Sequence, residues 1–373
     1  MKINTIYFVL FFGWTTAAFP QGSLTPPGAP APTMKTLDQI EARTPISSAP
    51  FTISAPGSYY LTQNLTVNNG NAITISASDV SLDLNGFSIS STAASPNGSA
   101  IEIGSGLRNI SVFNGSINSG VTYSGGTYSG PGFLYGIRYT GTSPETTRVS
   151  HVSVAGVLSD GINIERNTTT VESCTVNVAG GNGIVARTIS NSAARFCGLS
   201  AIYAYTAENC SGVSTSTSNG YGIYAFLTAT NCWGTGDIGV YTDAATNCTG
   251  FAGGSNVGVD TFTATGCYGS SLNGDGLFAY AANNCYGTSS TGIGLHAFTA
   301  SNCFGTSAGS TPGSSYGIWT DIGIGCWGHT TSSSGGVGLR FVKMAAMCYA
   351  QRDSPFSSFS VLGAGQAGPA SVP

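Results

Sequence analysis

Glu102, Arg138 and Asn163 each follow a small residue and an isoleucine, in Ala-Ile101, Gly-Ile137 and Gly-Ile162. They therefore occupy one position of a recurring step. Glu145, Arg148 and His151 follow closely on Arg138. Eliminating across a uronic-acid linkage needs a base for the proton beside the carboxylate and a cation for the charge that develops. Arg138 or His151 could fill those roles, with Glu102 as orienter. The plainer reading is a solvated Glu–Arg pair on neighbouring strands, which contributes at most about 1 kcal/mol.

A second kind of chemistry is stacking. Tyr203, Tyr224, Tyr241, Phe278 and Trp319 hold the same position in later copies of the step. A further row, Trp233, Tyr268, Tyr286, Phe304, Trp327 and Tyr349, comes directly after a cysteine. Flat rings in line suit sugar faces. Rings also favour strand surfaces and stabilise them by packing on each other. The glycine-rich stretch 114–136 adds Tyr123, Tyr128, Phe133 and Tyr135. A long excursion on a rigid scaffold is either a tolerated surface loop or a functional one.

The element that positions all of these is a repeat. "NNCYGTSSTGIGLHAFTASNCFG", Asn283 to Gly305, states the phrase N-C-aromatic-G twice. Cys210, Cys232, Cys248, Cys267, Cys285, Cys303, Cys326 and Cys348 recur in this frame, with Cys174 and Cys197 ahead of them. Val152, Ile110 and Val80 read as the same slot upstream, so the slot is small, apolar and buried. Thirteen small–aliphatic steps run from Ala-Ile73 to Gly-Leu339, and the residue after each is variable. A constant aliphatic beside a variable neighbour is the in/out alternation of a strand. Asn before Cys suits a corner, because Asn tolerates a left-handed backbone. Units this small bury their apolar face only by stacking on each other. The expectation is an all-β, right-handed parallel β-helix of roughly thirteen rungs about 4.8 Å apart.

The phrase V-x-L-D-L-N-G-F at Val80 to Phe87, within "FTISAPGSYYLTQNLTV…NAITISASDVSLDLNGFSI" (51–89), resembles the first coils of right-handed parallel β-helix proteins of the pectate-lyase-like superfamily. The repeats carry the resemblance to about residue 350. It implies the fold. It implies no single activity, since this superfamily holds lyases, hydrolases and epimerases. The D-D and G-H-G phrases that mark polygalacturonase-type hydrolases do not occur here.

Composition agrees with an ordered β protein. Charged residues are 8% and glycines number 53, yet aromatic residues reach 10% of the 373 positions. The net charge of −4 and the lack of a basic stripe exclude nucleic acid as partner. Lys2, the apolar run Ile6–Trp14 and the small residues Thr15–Ala18 read as a secretory signal peptide over 1–20, too short for a membrane span. The expected product is a secreted or extracytoplasmic protein. A Pro-rich linker and a capping helix over 33–43 fill 21–50, the β-helix domain fills 51–350, and the tail 351–373 carries no structural pattern. The cysteines read as stacked, reduced thiols. With no C-x-x-C pair, neither a metal nor a cofactor is expected. The functional expectation is a non-catalytic binder of a polysaccharide or cell-surface glycan, or a surface component. The alternative is a polysaccharide lyase or hydrolase. Asn163 and the rings Tyr123, Tyr128, Tyr203, Tyr224, Tyr241, Phe278 and Trp319 are the expected binding residues, and Glu102, Arg138 and His151 the catalytic candidates. The sequence leaves the oligomeric state open.

Overall fold

The computed structural model describes residues 42–141, 144–309, 314–332, 335–352 and 361–362. The expected signal peptide and linker, and the expected capping helix as far as residue 41, lie outside the described residues. Thirty-four strands form a single sheet with parallel pairing throughout. It is wound into a parallel β-helix of about thirteen turns. Paired strands begin at Thr44–Ile46, ahead of the expected boundary at 51, and Val361–Leu362 within the expected tail pairs with Leu339 and Arg340. No helix among the described residues is long and apolar enough to cross a membrane.

One coil shows the construction. In Leu277–Asn283, Leu277 and Ala279 point in and Phe278 points out. Tyr280 and Ala281 then both point out before Ala282 points in, so the strand turns a corner without ending. Asn284 has φ 52°, Cys285 faces in, and Tyr286–Ser289 forms the next strand. The sequence reading has two strands per coil. The structure has three faces, because one broken alternation bends the long strand.

The phrase N-C-aromatic-G now has a physical reading. The residue before the inward slot has positive φ in coil after coil: Asn114, His151, Ser173, Asn191, Asn209, Asn231, Asn247, Gly266, Asn284, Asn302, Gly325 and Met347. A left-handed backbone costs most L residues about 1–2 kcal/mol, and Asn recovers part of that by local hydrogen bonding. Here the amides also bond along the axis. Asn209 donates to Asn191 at 3.2 Å, Asn231 to Asn209 at 3.1 Å and Asn247 to Asn231 at 3.3 Å. Cysteine fills the core, and the aromatic residue points out. The glycine faces in where the next coil's backbone passes, and a Cβ on Gly287 would collide with the carbonyl oxygen of Gly294.

Two slot assignments need correction. Val80 pairs with Ile110, and Ile110 with Thr147, so they form a separate inward rank at the start of the second face. The rank of Cys174 continues upstream through Val152 to Gly115. Cys197 pairs with Ala179 and Ser214 on the third face, and Ser192 holds its place in the column. Spacing alone misplaced it, because the loops between coils vary in length.

All ten cysteines are free thiols and nine are buried. Each thiol of the column donates to backbone carbonyls, as Cys248 does to Ala229 at 3.3 Å and Thr246 at 3.4 Å. Burial pushes Cys174 up to about 11. Hydrogen bonding to the preceding thiol pushes Cys232 and Cys248 up to about 12. Cys285 and Cys326 accept from thiols on both sides and are lowered instead. Burial then limits their access to reagents, with Cys285 only 3% exposed.

Candidate functional site

The outer surface carries three aromatic arrays, and their ring geometries differ. On the first face, Tyr203, Tyr224 and Tyr241 occupy successive rungs. Tyr203 and Tyr224 lie 4.7 Å apart, and Tyr224 and Tyr241 lie 5.1 Å apart with planes 19° from parallel. Tyr221 meets Tyr224 and Tyr241 edge-on. Arg166 covers the Tyr203 face at 4.3 Å. After one rung held by Asp260 the column resumes with Phe278, His296 and Trp319. His296 stacks on Trp319 at 4.6 Å and 8°, and Arg340 covers the far side of this stack at 4.3 Å from Trp319. The column thus ends on an arginine at each side, and most of its ring faces are covered, Phe278 being the exception, since it meets His296 edge-on at 5.0 Å and 78°. The column's edges face solvent. Burial raises the Tyr224 hydroxyl above its ordinary pKa, with the Tyr203 and Tyr241 hydroxyls adding to the effect.

At the corner between the first and second faces, Phe262, Tyr280 and Phe298 form a short stack. Their separations are 4.9 and 4.8 Å, their planes 18° and 11° apart. This trio escaped the sequence reading, although "VDTF", "LFAY" and "LHAF" place it at one repeat position.

The third face differs. Trp233, Thr249, Tyr268, Tyr286, Phe304, Trp327 and Tyr349 are successive register partners. Phe251 bridges the threonine, 5.9 Å from Trp233 and 5.7 Å from Tyr268. The remaining neighbours meet at 4.8–5.9 Å with interplanar angles of 50–71°. Two rings at a steep angle along one axis cannot cover both of each other's faces. One ring of each such pair keeps its faces off the column, available to a ligand. Trp233 and Tyr286 are 37% exposed and Trp327 45%.

The catalytic candidates are only partly brought together. Glu102, Arg138 and Asn163 are register partners on three successive rungs, as expected. Among the described residues no ion pair joins Glu102 to Arg138. The Arg138 guanidinium lies 4.3 Å from the Tyr135 ring centre, and Asn163 donates to Asp160 at 2.8 Å. His151 stands apart from this rank, exposed in the left-handed corner between the second and third faces. The insertion folds as a hairpin, Thr122–Ser124 against Thr127–Ser129. Tyr123 and Tyr128 pack at 4.8 Å, and Tyr128 donates to Phe196 O at 3.0 Å and lies 2.7 Å from Thr215 Oγ1. Burial pushes its hydroxyl up to about 12. The two tyrosines anchor the hairpin to later coils.

Sequence reasoning missed Asp260, Asp275 and His296 as a group. Their repeat positions showed only that Asp260 and His296 share a rank with the rings. His296 Nδ1 lies 3.0 Å from Asp275 Oδ2. Among the described residues no cluster of three or more His, Cys, Asp or Glu could hold a metal ion.

No family model matches this chain, and no curated protein matches it. Among solved structures it is similar to the A-module of mannuronan C-5 epimerase AlgE4 from Azotobacter vinelandii, at 12% identity and a TM-score of 0.38, covering 84% of this chain and 91% of that one. It is similar also to the A-module of AlgE6 from the same organism, at 12% identity and a TM-score of 0.35, covering 85% and 92%. Those modules are parallel β-helix proteins.

Proposed function

We propose that this is a secreted, non-catalytic protein that binds an extended polysaccharide along the ridge of rings on its third face. The observation that carries the reading is the geometry of that ridge. Its rings run without a gap from Trp233 to Tyr349, over six rung steps or about 29 Å. Steep angles leave ring faces open, and the rigid sheet holds them in line before any ligand arrives. Preorganised rings lose little conformational freedom on binding. The apolar run near the amino terminus supports export.

The lyase or hydrolase reading needs a base and a cation converging on one sugar. Arg138 is engaged with Tyr135, Asn163 with Asp160, and His151 occupies a different corner. That arrangement gives elimination no support.

A panel of neutral and acidic polysaccharides, run as affinity gels, tests the proposal. Retardation by at least one extended glycan, with no unsaturated product absorbing in the ultraviolet and no new reducing ends, is expected. Turnover of any of them would replace binding with catalysis.

A further inference from the structure

The gap in the first-face column is a cleft. Tyr241, Asp260 and Phe278 are register partners on three successive rungs, so Tyr241 and Phe278 stand about 9.6 Å apart with the acid between them. Phe262 and Tyr280 close the side towards the corner. The space enclosed is about 150 Å³. Four aromatic rings and one carboxylate therefore converge on a volume suited to a small ligand.

The state of the acid narrows what that ligand is. Asp275 is held by His296 at 3.0 Å. Among the described residues neither a hydrogen bond nor an ion pair reaches the Asp260 carboxylate. Burial, and after it the charge of Asp275, raises the Asp260 pKa above the ordinary carboxylate value. An acid in this position gains most from a cation beside it. Ring faces attract cations out to about 6 Å. Tyr241, stacked on Tyr224 at 19°, has its other face towards the Asp260 rung, about 4.8 Å away, while Phe278, at 78° to His296, lines the cleft with its edge. The same column already shows the preference at its ends, where Arg166 and Arg340 sit over ring faces at 4.3 Å.

We propose that the Tyr241–Phe278 cleft is a binding site for an organic ammonium group, held by the Tyr241 ring face and the Asp260 carboxylate against the apolar wall of Phe278. Two sources present this chemistry: a quaternary ammonium such as a choline headgroup, and the protonated amine of an amino-sugar polymer. The site stands independently of the third-face ridge, which lies on another side of the coil.

Isothermal titration of the folded protein at constant ionic strength tests it. The probes are choline, glucosamine, and the neutral counterparts 3,3-dimethylbutan-1-ol and N-acetylglucosamine. Saturable binding of a charged probe, at least about tenfold tighter than its neutral counterpart, is expected. Choline binding more tightly marks the headgroup source, and glucosamine binding more tightly marks the polymer. Asp260→Asn should weaken the preferred probe about tenfold or more, and Phe278→Ala about fivefold. The amide in Asp260→Asn matches the carboxylate in size and carries no charge to bury, so cooperative unfolding at or above the native melting temperature will show that the fold is kept. Equal affinity for charged and neutral probes overturns the proposal. So does binding of neither charged probe, or full affinity in Asp260→Asn. Loss of glycan retention by ridge variants with choline binding intact separates this site from the ridge.

Discussion

The first and third faces carry aromatic columns of similar length on the same coils, yet they solve different problems. On the first face, Tyr203, Tyr224 and Tyr241 overlap at 35° and 19°, His296 and Trp319 at 8°, and Arg166 and Arg340 cover the column's ends. Most of its π surface is consumed inside the protein, with the Phe278–His296 pair at 78° as the exception. On the third face the rings meet at 50–71°, and their surface is left over. Neighbouring residues decide the outcome. First-face rings are flanked by Tyr221, Tyr316 and arginines that pin them upright, whereas third-face rings are followed by an inward glycine such as Gly287 or Gly305, which adds no side chain beside them. A row of aromatics therefore announces a strand surface, and the angle between the rings says whether the row is structure or site.

Both columns stand on one continuous core that includes the thiol stack, so the largest effect is expected there. Cys285→Asp buries an unpaired charge and should cost several kcal/mol, enough to disorder the neighbouring coils. Cys285→Val should cost less than about 1.5 kcal/mol, as Val152 already fills that slot. Urea unfolding measures both. A harmless aspartate would mean that the slot faces out. In the native protein the thiols should react slowly with maleimide and become fully reactive in denaturant.

Next in size is the first-face column. Tyr224→Ala removes three ring contacts and should lower stability by about 2–4 kcal/mol while glycan retention stays within about twofold. The third-face counterpart should behave oppositely. Trp327→Ala should cost about 1 kcal/mol or less of stability, since the ring is 45% exposed, and about fivefold in retention. Equal stability losses at the two sites would erase the distinction between the columns.

The smallest expected effect is at the break in the first column. The folded-state pKa of Asp260 is raised above its unfolded value, so its favourable contribution is full below the unfolded pKa and is lost as pH rises through the folded one. Asp260→Asn should therefore gain stability relative to the native protein as pH rises from 3 to 7, the smallest of these effects. A gain in the opposite direction would place a cation beside the acid.

The repeat made the fold legible. Inward slots recur because stacking demands them, and the left-handed corner favours Asn or Gly, so both leave marks in the sequence. The division between the first and second faces was harder to see, because the break at Tyr280 and Ala281 is a single lapse in alternation inside a continuous strand. Cys197 was misread because it lies within a few residues of the column's frame yet belongs to another face. The rows of outward rings were also legible, since they share repeat positions. Ring angles, the arginine caps and the isolation of Asp260 depend on side-chain packing across coils, and residue spacing carries no record of that.

Affinity electrophoresis of two double variants side by side tests the central claim most directly, using the glycan that retards the native protein. The ring angles predict that Trp233→Ala with Trp327→Ala will migrate freely, with affinity down by at least about tenfold, while Tyr224→Ala with Trp319→Ala, if still folded by circular dichroism, will be retarded like the native protein. Free migration of the first-face variant with full retardation of the third-face variant would contradict the account and move the glycan to the other column.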